Sequence, residues 1–389
     1  MKILISGGGF AGLTAANLLH KQGHQIILID KAHQFSNGGF VLSLKSFGVE
    51  IMKEIGLEEK MRLSATKSSI INFLKPSGKL VREMDFRTIN KNLSDTIMAS
   101  RANLHKVLYD AVKNNVEIRF NSAIKSILQN EKEVSVQLYD DSIIRTDLLI
   151  IAEGIRSSTR DKIWTDAKVE DFAISYAAGR LEGKHAYKTG NYLSYRGVKK
   201  MLAVLPISEN ELAIQCYIHN TGNTGNLQNI EKDFLSEKFK DFNPEALALI
   251  KKMENKGVIF SDRIGMVHSP VLYKNKAVLL GDAGYCPTSL SGMGASLSIF
   301  GAKTLAHCLS NSPNNLQKAL SNYNSLMQPV IQKFQSNARR NIKTFLPAGK
   351  MKLWLMNVMF RFIPLSFITK KMNSELSLPD SQREFISEK

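Results

Sequence analysis

The sequence predicts an α/β fold: a parallel-sheet domain, interrupted by a mixed β-sheet domain and followed by C-terminal helices. Three observations predict it. The chain opens as strand, glycine turn, helix and strand, with an apolar run at residues 2–6, glycines at 7, 9 and 12, a periodic apolar helix from Leu13 to about Lys21, and a second apolar run, Gln25 to Ile29, ending on Asp30. After Trp164 the texture changes to alternating strand-like stretches separated by Asn and Gly turns. A buried strand then returns at residues 277–281, followed by a glycine-rich turn and helices.

The opening is a complete βαβ dinucleotide fingerprint. Gly7 permits the tight turn, Gly9 lets backbone N–H groups approach a pyrophosphate, and Gly12 lets helix and strand pack closely. The helix N-terminus faces the phosphates and Asp30 can accept from a ribose hydroxyl. NAD and FAD both use this unit. Residues 100–113 read as a helix with Leu104, Val107, Leu108 and Ala111 on one face. Strand signals follow at 117–120, 123–128 and 134–139, and the apolar run 147–152 suits a strand covered on both faces. Beyond Trp164, strands are predicted at 172–181, 192–195, 201–206 and 211–218, then helices at 230–239 and 244–252. From Gly292 to about Asn311 the pattern is helical, and helices continue beyond Pro313.

Met351–Thr369 is rich in Met, Phe and Leu. Arg361 and Pro364 interrupt it, whereas a membrane span wants about 20 clean apolar residues. A docked amphipathic helix and a reversible membrane contact are both compatible with it; stable membrane insertion is not expected.

The 389 residues allow two domains, and 43% hydrophobic with 22% charged residues is ordinary for a globular chain. Cys216, Cys286 and Cys308 form no metal-ligand spacing, which suits a reducing cytoplasm. The eight histidines are scattered, so no metal centre is expected. No signal peptide is read, since the chain enters its first strand at once. The net charge of +17 is spread along the chain, with only short clusters such as Arg339-Arg340 and Lys370-Lys371, and reads as a solvated surface rather than a nucleic-acid site.

The far end of the chain selects the cofactor. Gly281-Asp282-Ala283-Gly284 follows the late strand, and Gly292-Met293-Gly294 opens the next helix. An Asp at a strand end can bind the polyhydroxy ribityl chain of a flavin. The glycines let backbone approach a flat ring, and the helix end favours negative charge on the reduced flavin. Between the two sites lies Ala152-Glu153-Gly154, trailed by Arg156 and Arg160. The first domain thus reads as a Rossmann-like FAD-binding domain from residues 1–67, 98–165 and 266–345. A substrate-binding sheet domain is read from 68–97 and 166–265, and a C-terminal helical extension from 346–389.

With these three motifs in this order, the chain resembles the class A FAD-dependent monooxygenases of the aromatic-hydroxylase superfamily over about residues 1–345. The middle motif departs from the pattern, with Glu153 in place of Asp. The late loop departs too, with Ser289 in place of a proline and Pro287 two residues earlier. Within the superfamily the chain is most similar to the tetracycline-inactivating monooxygenases. Asn37-Gly38-Gly39-Phe40, Ser100-Arg101 and the C-terminal extension carry that similarity. The resemblance implies that Arg101 lies along the FAD. It places Phe35 where some relatives have a basic residue that handles the nicotinamide cofactor.

The cofactor-binding candidates are Gly7, Gly9, Phe10, Ala11, Gly12, Asp30, Lys31, Arg101, Glu153, Gly154, Gly281, Asp282, Gly292, Met293 and Gly294. The resemblance implies FAD reduced by transient NADPH (or NADH), with O2 as co-substrate. It further implies transfer of one oxygen atom to a tetracycline through a flavin hydroperoxide, which inactivates the drug. The flavin carries the chemistry, so no catalytic side chain is assigned. The substrate candidates are Phe40, Tyr192, Met201, Gln215 and Met293, each equally compatible with a core or strand-surface place. The expected partner is a small-molecule substrate, and the chain is expected to be a cytoplasmic monomer. Rival readings are a hydroxylase of another phenolic or quinone-precursor substrate, a flavin halogenase and a non-enzymatic prenyl-protein chaperone of the same fold. The halogenase would need a W-x-W-x-I-P segment, and Trp164 and Trp354 lie far apart. The retained late glycine motifs argue against the chaperone.

Overall fold

Strands at the start of the chain are buried on both faces, and their partners come from three distant segments. The computed structural model describes residues 1–35, 41–45, 47–65, 70–85, 96–129, 133–219, 233–256, 260–379 and 382. Lys2–Ser6 pairs in parallel with Gln25–Ile29 on one side and Leu148–Ile151 on the other. Ala277–Leu279 extends the sheet beyond Leu148–Ile151, with Tyr273–Lys274 at that edge and Glu117–Arg119 at the opposite one. Alternate residues face two different cores. Ile3, Ile5, Leu148 and Ile150 pack with the helices Phe10–Lys21, Arg101–Val112, Gly294–Ser310 and Leu316–Phe345. Leu4, Leu149 and Ile151 pack with Trp164 and a three-stranded meander, Ile124–Gln129, Val134–Leu138 and Ile143–Thr146. The period of two along each strand makes this double burial possible.

A second, seven-stranded sheet has the order Phe260–His268, Lys168–Glu182, Glu211–His219, Lys200–Ser208, Asn191–Gly197, Ile70–Leu74, Leu80–Asp85. Its pairings are antiparallel except where Ile70–Leu74 joins Asn191–Gly197. One face carries Leu202, Val204, Ile214 and Cys216 against the helices Phe234–Lys238 and Pro244–Lys256. The other face carries Ile174, Met201 and Ala203, and meets Leu290, Ile342 and Phe345 of the first unit.

Several elements differ from their sequence expectation. The ribbon of Val41–Leu44 with Ile97–Ser100 and the hairpin at 70–85 are additional strands. The helix expected from Gly292 starts at Gly294, because Gly292 takes a φ of +63°. The helix expected at 230–239 is Phe234–Lys238 among the described residues, and 220–232 lie outside them. The apolar C-terminal run is two helices, Lys350–Phe362 and Leu365–Leu376, bent by 105°. Pro364 causes the break: it lacks an N–H and disfavours helical backbone in the residue before it.

Arg160 ties two segments of the first unit together. It is 1% exposed. It donates to the carbonyls of Ile155 (2.9 Å) and Ala283 (3.3 Å) and forks onto Asp161. Arg160→Ala strands those buried carbonyls and should lower stability by about 1–3 kcal/mol in urea unfolding. Asp161→Asn, at a largely exposed partner, should change stability by under about 0.5 kcal/mol.

Candidate functional site

Three strand ends converge on one edge of the first sheet. At Gly7, with φ +110°, a Cβ would run into the Ala152 carbonyl, and at Gly12 it would run into the Gly7 carbonyl. At Gly9 a Cβ would meet nothing within 4 Å. The turn is therefore closed on its inner side and open at the residue that caps the helix Phe10–Lys21. That helix has no side-chain cap and no acid in its first turn, so its N-terminal N–H groups face the opening. The opening suits the pyrophosphate of a dinucleotide.

Asp30 closes the turn from the second strand. Its carboxylate accepts from the N–H of Gly8 (2.7 Å) and of Ala32 (2.8 Å). A carboxylate has about four acceptor sites, so capacity for a ribose hydroxyl remains. Lys31 is exposed beside it. Phe10 is buried, and the Arg101 guanidinium stands 6.0 Å from its ring centre. His105 Nε2 pairs with the Gly8 carbonyl oxygen at 2.6 Å. Phe35 stacks on His105 at 4.7 Å and on Tyr109 at 4.4 Å, which makes an aromatic ladder beside the turn.

Glu153 acts as a knot. Its carboxylate accepts from Ser6 Oγ (2.6 Å), Ser157 Oγ (2.7 Å), Thr159 Oγ1 (2.6 Å) and Thr159 N (3.2 Å). It ties the end of the first strand to the helix Ser158–Ile163, and three hydroxyls suit the longer acid. Gly154, with φ +79°, turns the chain beside it with open space at its Cβ position.

The late motif meets the first turn directly. A Cβ at Gly281 would lie 2.7 Å from the Cβ of Ala11. Asp282 lies over the start of the next helix, with its Oδ1 3.5 Å from the Cβ position of Gly294. Burial pushes the Asp282 carboxyl above its usual range, and the Cys286 thiol hydrogen bond and the Arg101 charge oppose that shift. Burial also pushes the Cys286 thiol well up.

Two features of this turn carry no sequence signal. Thr288 holds a φ of +81°, and its buried Oγ1 has no partner among the described residues. A β-branched residue in that region costs about 1–3 kcal/mol and marks a loop held by its surroundings. Lys45 Nζ lies 3.4 Å from the Cβ position of Gly292, and burial lowers its pKa. Burial thus disfavours its charged form, and a negative charge at the turn, such as a reduced flavin ring would bring, would favour protonation of Lys45.

Opposite the turn stands the inner face of the seven-stranded sheet. Tyr192 and Gln215 are part-exposed on it. Tyr217 Oη donates to Gln215 Oε1 at 3.0 Å and stacks on Tyr176. Burial pushes the Tyr192 phenol up to about 12 and raises Tyr176 and Tyr217 as well. All three stay protonated at neutral pH; the Tyr217 proton is given to Gln215, and Tyr192 can donate to a substrate oxygen. Tyr176 and Tyr217 escaped the sequence reading because only strand pairing brings them beside Tyr192. Met201 and Met293 are 4% and 2% exposed, so their side chains serve packing, and only the backbone of the Met293 turn is available to a ring. Phe40, with residues 37–39, lies outside the described residues. Among the described residues no group of three or more His, Cys, Asp and Glu could hold a metal.

The FAD-binding domain family matches residues 1–338. The chain belongs to this family. It is an FAD-dependent monooxygenase of the aromatic-hydroxylase type. A flavin-dependent monooxygenase of Legionella longbeachae serogroup 1 (strain NSW150) is 27% identical over 347 residues, covering 86% of this chain and 87% of that protein. The tetracycline destructase Tet(51) superposes with a TM-score of 0.81 at 23% identity, over 97% of this chain and 99% of that one. Klebsiella pneumoniae HpxO, complexed with FAD and uric acid, superposes with a TM-score of 0.85 at 19% identity, over 97% of both chains. These solved structures share the fold of this FAD-binding protein.

Asp282 gives the family cofactor a test with opposed signs. A carboxyl raised in the folded state stabilises most below its unfolded pKa and loses that contribution as pH rises through the folded one. Asp282→Asn should therefore stabilise the flavin-free protein at neutral pH, with the advantage shrinking as pH falls. It should weaken FAD binding on the order of ten-fold through the lost acceptor. Melting curves of stripped protein across pH, with FAD titrations, read both; unchanged FAD affinity would remove Asp282 from the site.

Proposed function

We propose that this monooxygenase uses NADPH or NADH to oxygenate, and so inactivate, a tetracycline-class substrate in the space between the Gly292–Gly294 turn and the inner sheet face. The observation that carries the reading is that face itself: neutral phenols at Tyr176, Tyr192 and Tyr217 and the Gln215 amide, set in an apolar surround. A wide, mostly apolar pocket with a few polar anchors suits a four-ring keto-enol compound. Similarity to the Tet(51) destructase fold adds to the reading.

Bound FAD would supply the redox and oxygen-activating chemistry. The chain's own residues bind, orient and exclude water. Gly9 and the helix it caps would hold the pyrophosphate, Asp30 a ribose hydroxyl and Asp282 the ribityl chain. The Tyr192 hydroxyl and Gln215 would hold substrate oxygens while the apolar wall keeps water from the reacting carbon. The C-terminal helices close the far side. Phe360 packs edge-on against Phe73 at 4.6 Å, and Arg82 Nη1 donates to the carbonyls of Phe360 (2.6 Å) and Ile363 (2.7 Å). Arg196 stands 4.7 Å from the Phe73 ring centre.

Enzyme, NADPH and tetracycline incubated in air should lose the drug's long-wavelength absorbance and yield product heavier by one oxygen atom. Turnover of simple phenols with tetracycline untouched would instead move the assignment to a phenol or quinone-precursor hydroxylase. Truncation after Gly349 should keep FAD but impair turnover of large substrates. Because truncation also removes the buried Leu378, Arg82→Gln tests the same roof without shortening the chain. It should raise KM for tetracycline several-fold and leave FAD content unchanged.

A further inference from the structure

Between residues 333 and 376 nine lysines and arginines stand against one acid, Glu375. Glu375 is already engaged by Lys371 (3.8 Å) and Asn341 (3.2 Å). The same stretch carries the largest concentration of exposed apolar side chains. Among the described residues, seven of the sixteen exposed large hydrophobics lie between Met351 and Phe367. On the helix Lys350–Phe362 they fall at helical spacing: Met351 is 83% exposed, Trp354 63%, Leu355 49%, Met359 52% and Phe362 73%. They form one outward stripe, while Phe360 on the opposite side packs against Phe73. Beyond the Pro364 break, Phe367 continues the apolar surface into a cavity of about 510 Å³ whose charged lining is Lys333, Arg340, Lys370 and Lys371 against the one acid Glu375.

We propose that this outward face docks on the surface of an anionic phospholipid bilayer, with the stripe in the acyl–headgroup boundary and the basic cavity receiving a lipid phosphate. The charge decides the occupant. A second copy of the chain seated face to face would oppose one strongly basic surface to another, whereas an anionic membrane complements it. The helix pair lies on the bilayer rather than crossing it. Among the described residues no single helix is long and apolar enough to cross, the pair bends by 105°, and Arg361, Lys370 and Lys371 interrupt its apolar surface. The proposal stands independently of the substrate assigned above.

The two tryptophans supply the probe, since Trp164 is 1% exposed and Trp354 63%. In full-length, FAD-loaded Trp164→Phe protein, the remaining Trp354 emission should shift to the blue on adding vesicles of phosphatidylcholine mixed with phosphatidylglycerol. Vesicles of phosphatidylcholine alone should not shift it, and high salt should reverse the shift. The double variant Lys370→Glu, Lys371→Glu should sediment with the anionic vesicles at least about ten-fold more weakly. Trp354→Ser with Phe362→Ser should weaken binding similarly, with FAD content and NADPH oxidation in solution unchanged for both. Four results would overturn the proposal: no binding to anionic vesicles at low salt, equal binding to both vesicle types, self-association through the stripe that vesicles do not displace, or saturable binding of inorganic phosphate without vesicle binding.

Discussion

Close backbone approach at three strand ends is the constraint on which the rest of the molecule depends. The Gly7 turn has no room for a side chain beside Ala152, and Gly281 has none beside Ala11. Only because these atoms are missing can the first strand, the strand Leu148–Ile151 and the strand Ala277–Leu279 deliver their loops to one edge. Glu153 then fixes the arrangement by drawing Ser6, Ser157 and Thr159 onto one carboxylate. A shorter acid would need a closer approach of the same partners. The glutamate at this place is thus matched by hydroxyls on two neighbouring elements.

The second sheet divides its labour by the alternation of its strands. Residues pointing one way build an ordinary core with Phe239, Phe242 and Ile250. Residues pointing the other way present tyrosines and an amide toward the glycine turns. Because burial holds those phenols in the neutral form, the face gives and accepts hydrogen bonds without adding charge. The ionisable groups lie instead near the glycine turns, at Arg101, Asp282 and Lys45, and burial shifts the last two toward their neutral forms.

Much of the cofactor half was legible in the sequence because its signals are local. Glycines at fixed offsets, an acid at a strand end and continuous apolar runs each report a backbone requirement at their own position. The substrate half was less legible. Tyr176 and Tyr217 stand directly opposite each other on paired strands, a contact between residues far apart in the chain that no short window contains. Lys45 is one lysine among many until Gly292 is seen beside it, and Thr288 shows its strain only as a torsion. The ribbon of Val41–Leu44 with Ile97–Ser100 also depends on distant pairing. An even spread of single lysines conceals that acids are nearly missing from residues 333–376.

The three cysteines have a consequence for the protein's lifetime. An enzyme that activates oxygen leaks hydrogen peroxide whenever reduction and substrate fall out of step. Peroxide attacks thiolates, and Cys216, Cys286 and Cys308 are all buried, with the Cys308 thiol pushed up to about 11 and burial raising the other two as well. Burial keeps Cys286, which hydrogen-bonds Asp282, in the less reactive thiol form, whereas the thioethers of Met351 and Met359 are exposed, and methionine sulfoxides are open to repair by reductases. All three thiols lie inside, while Met351 and Met359 leave thioethers at the surface.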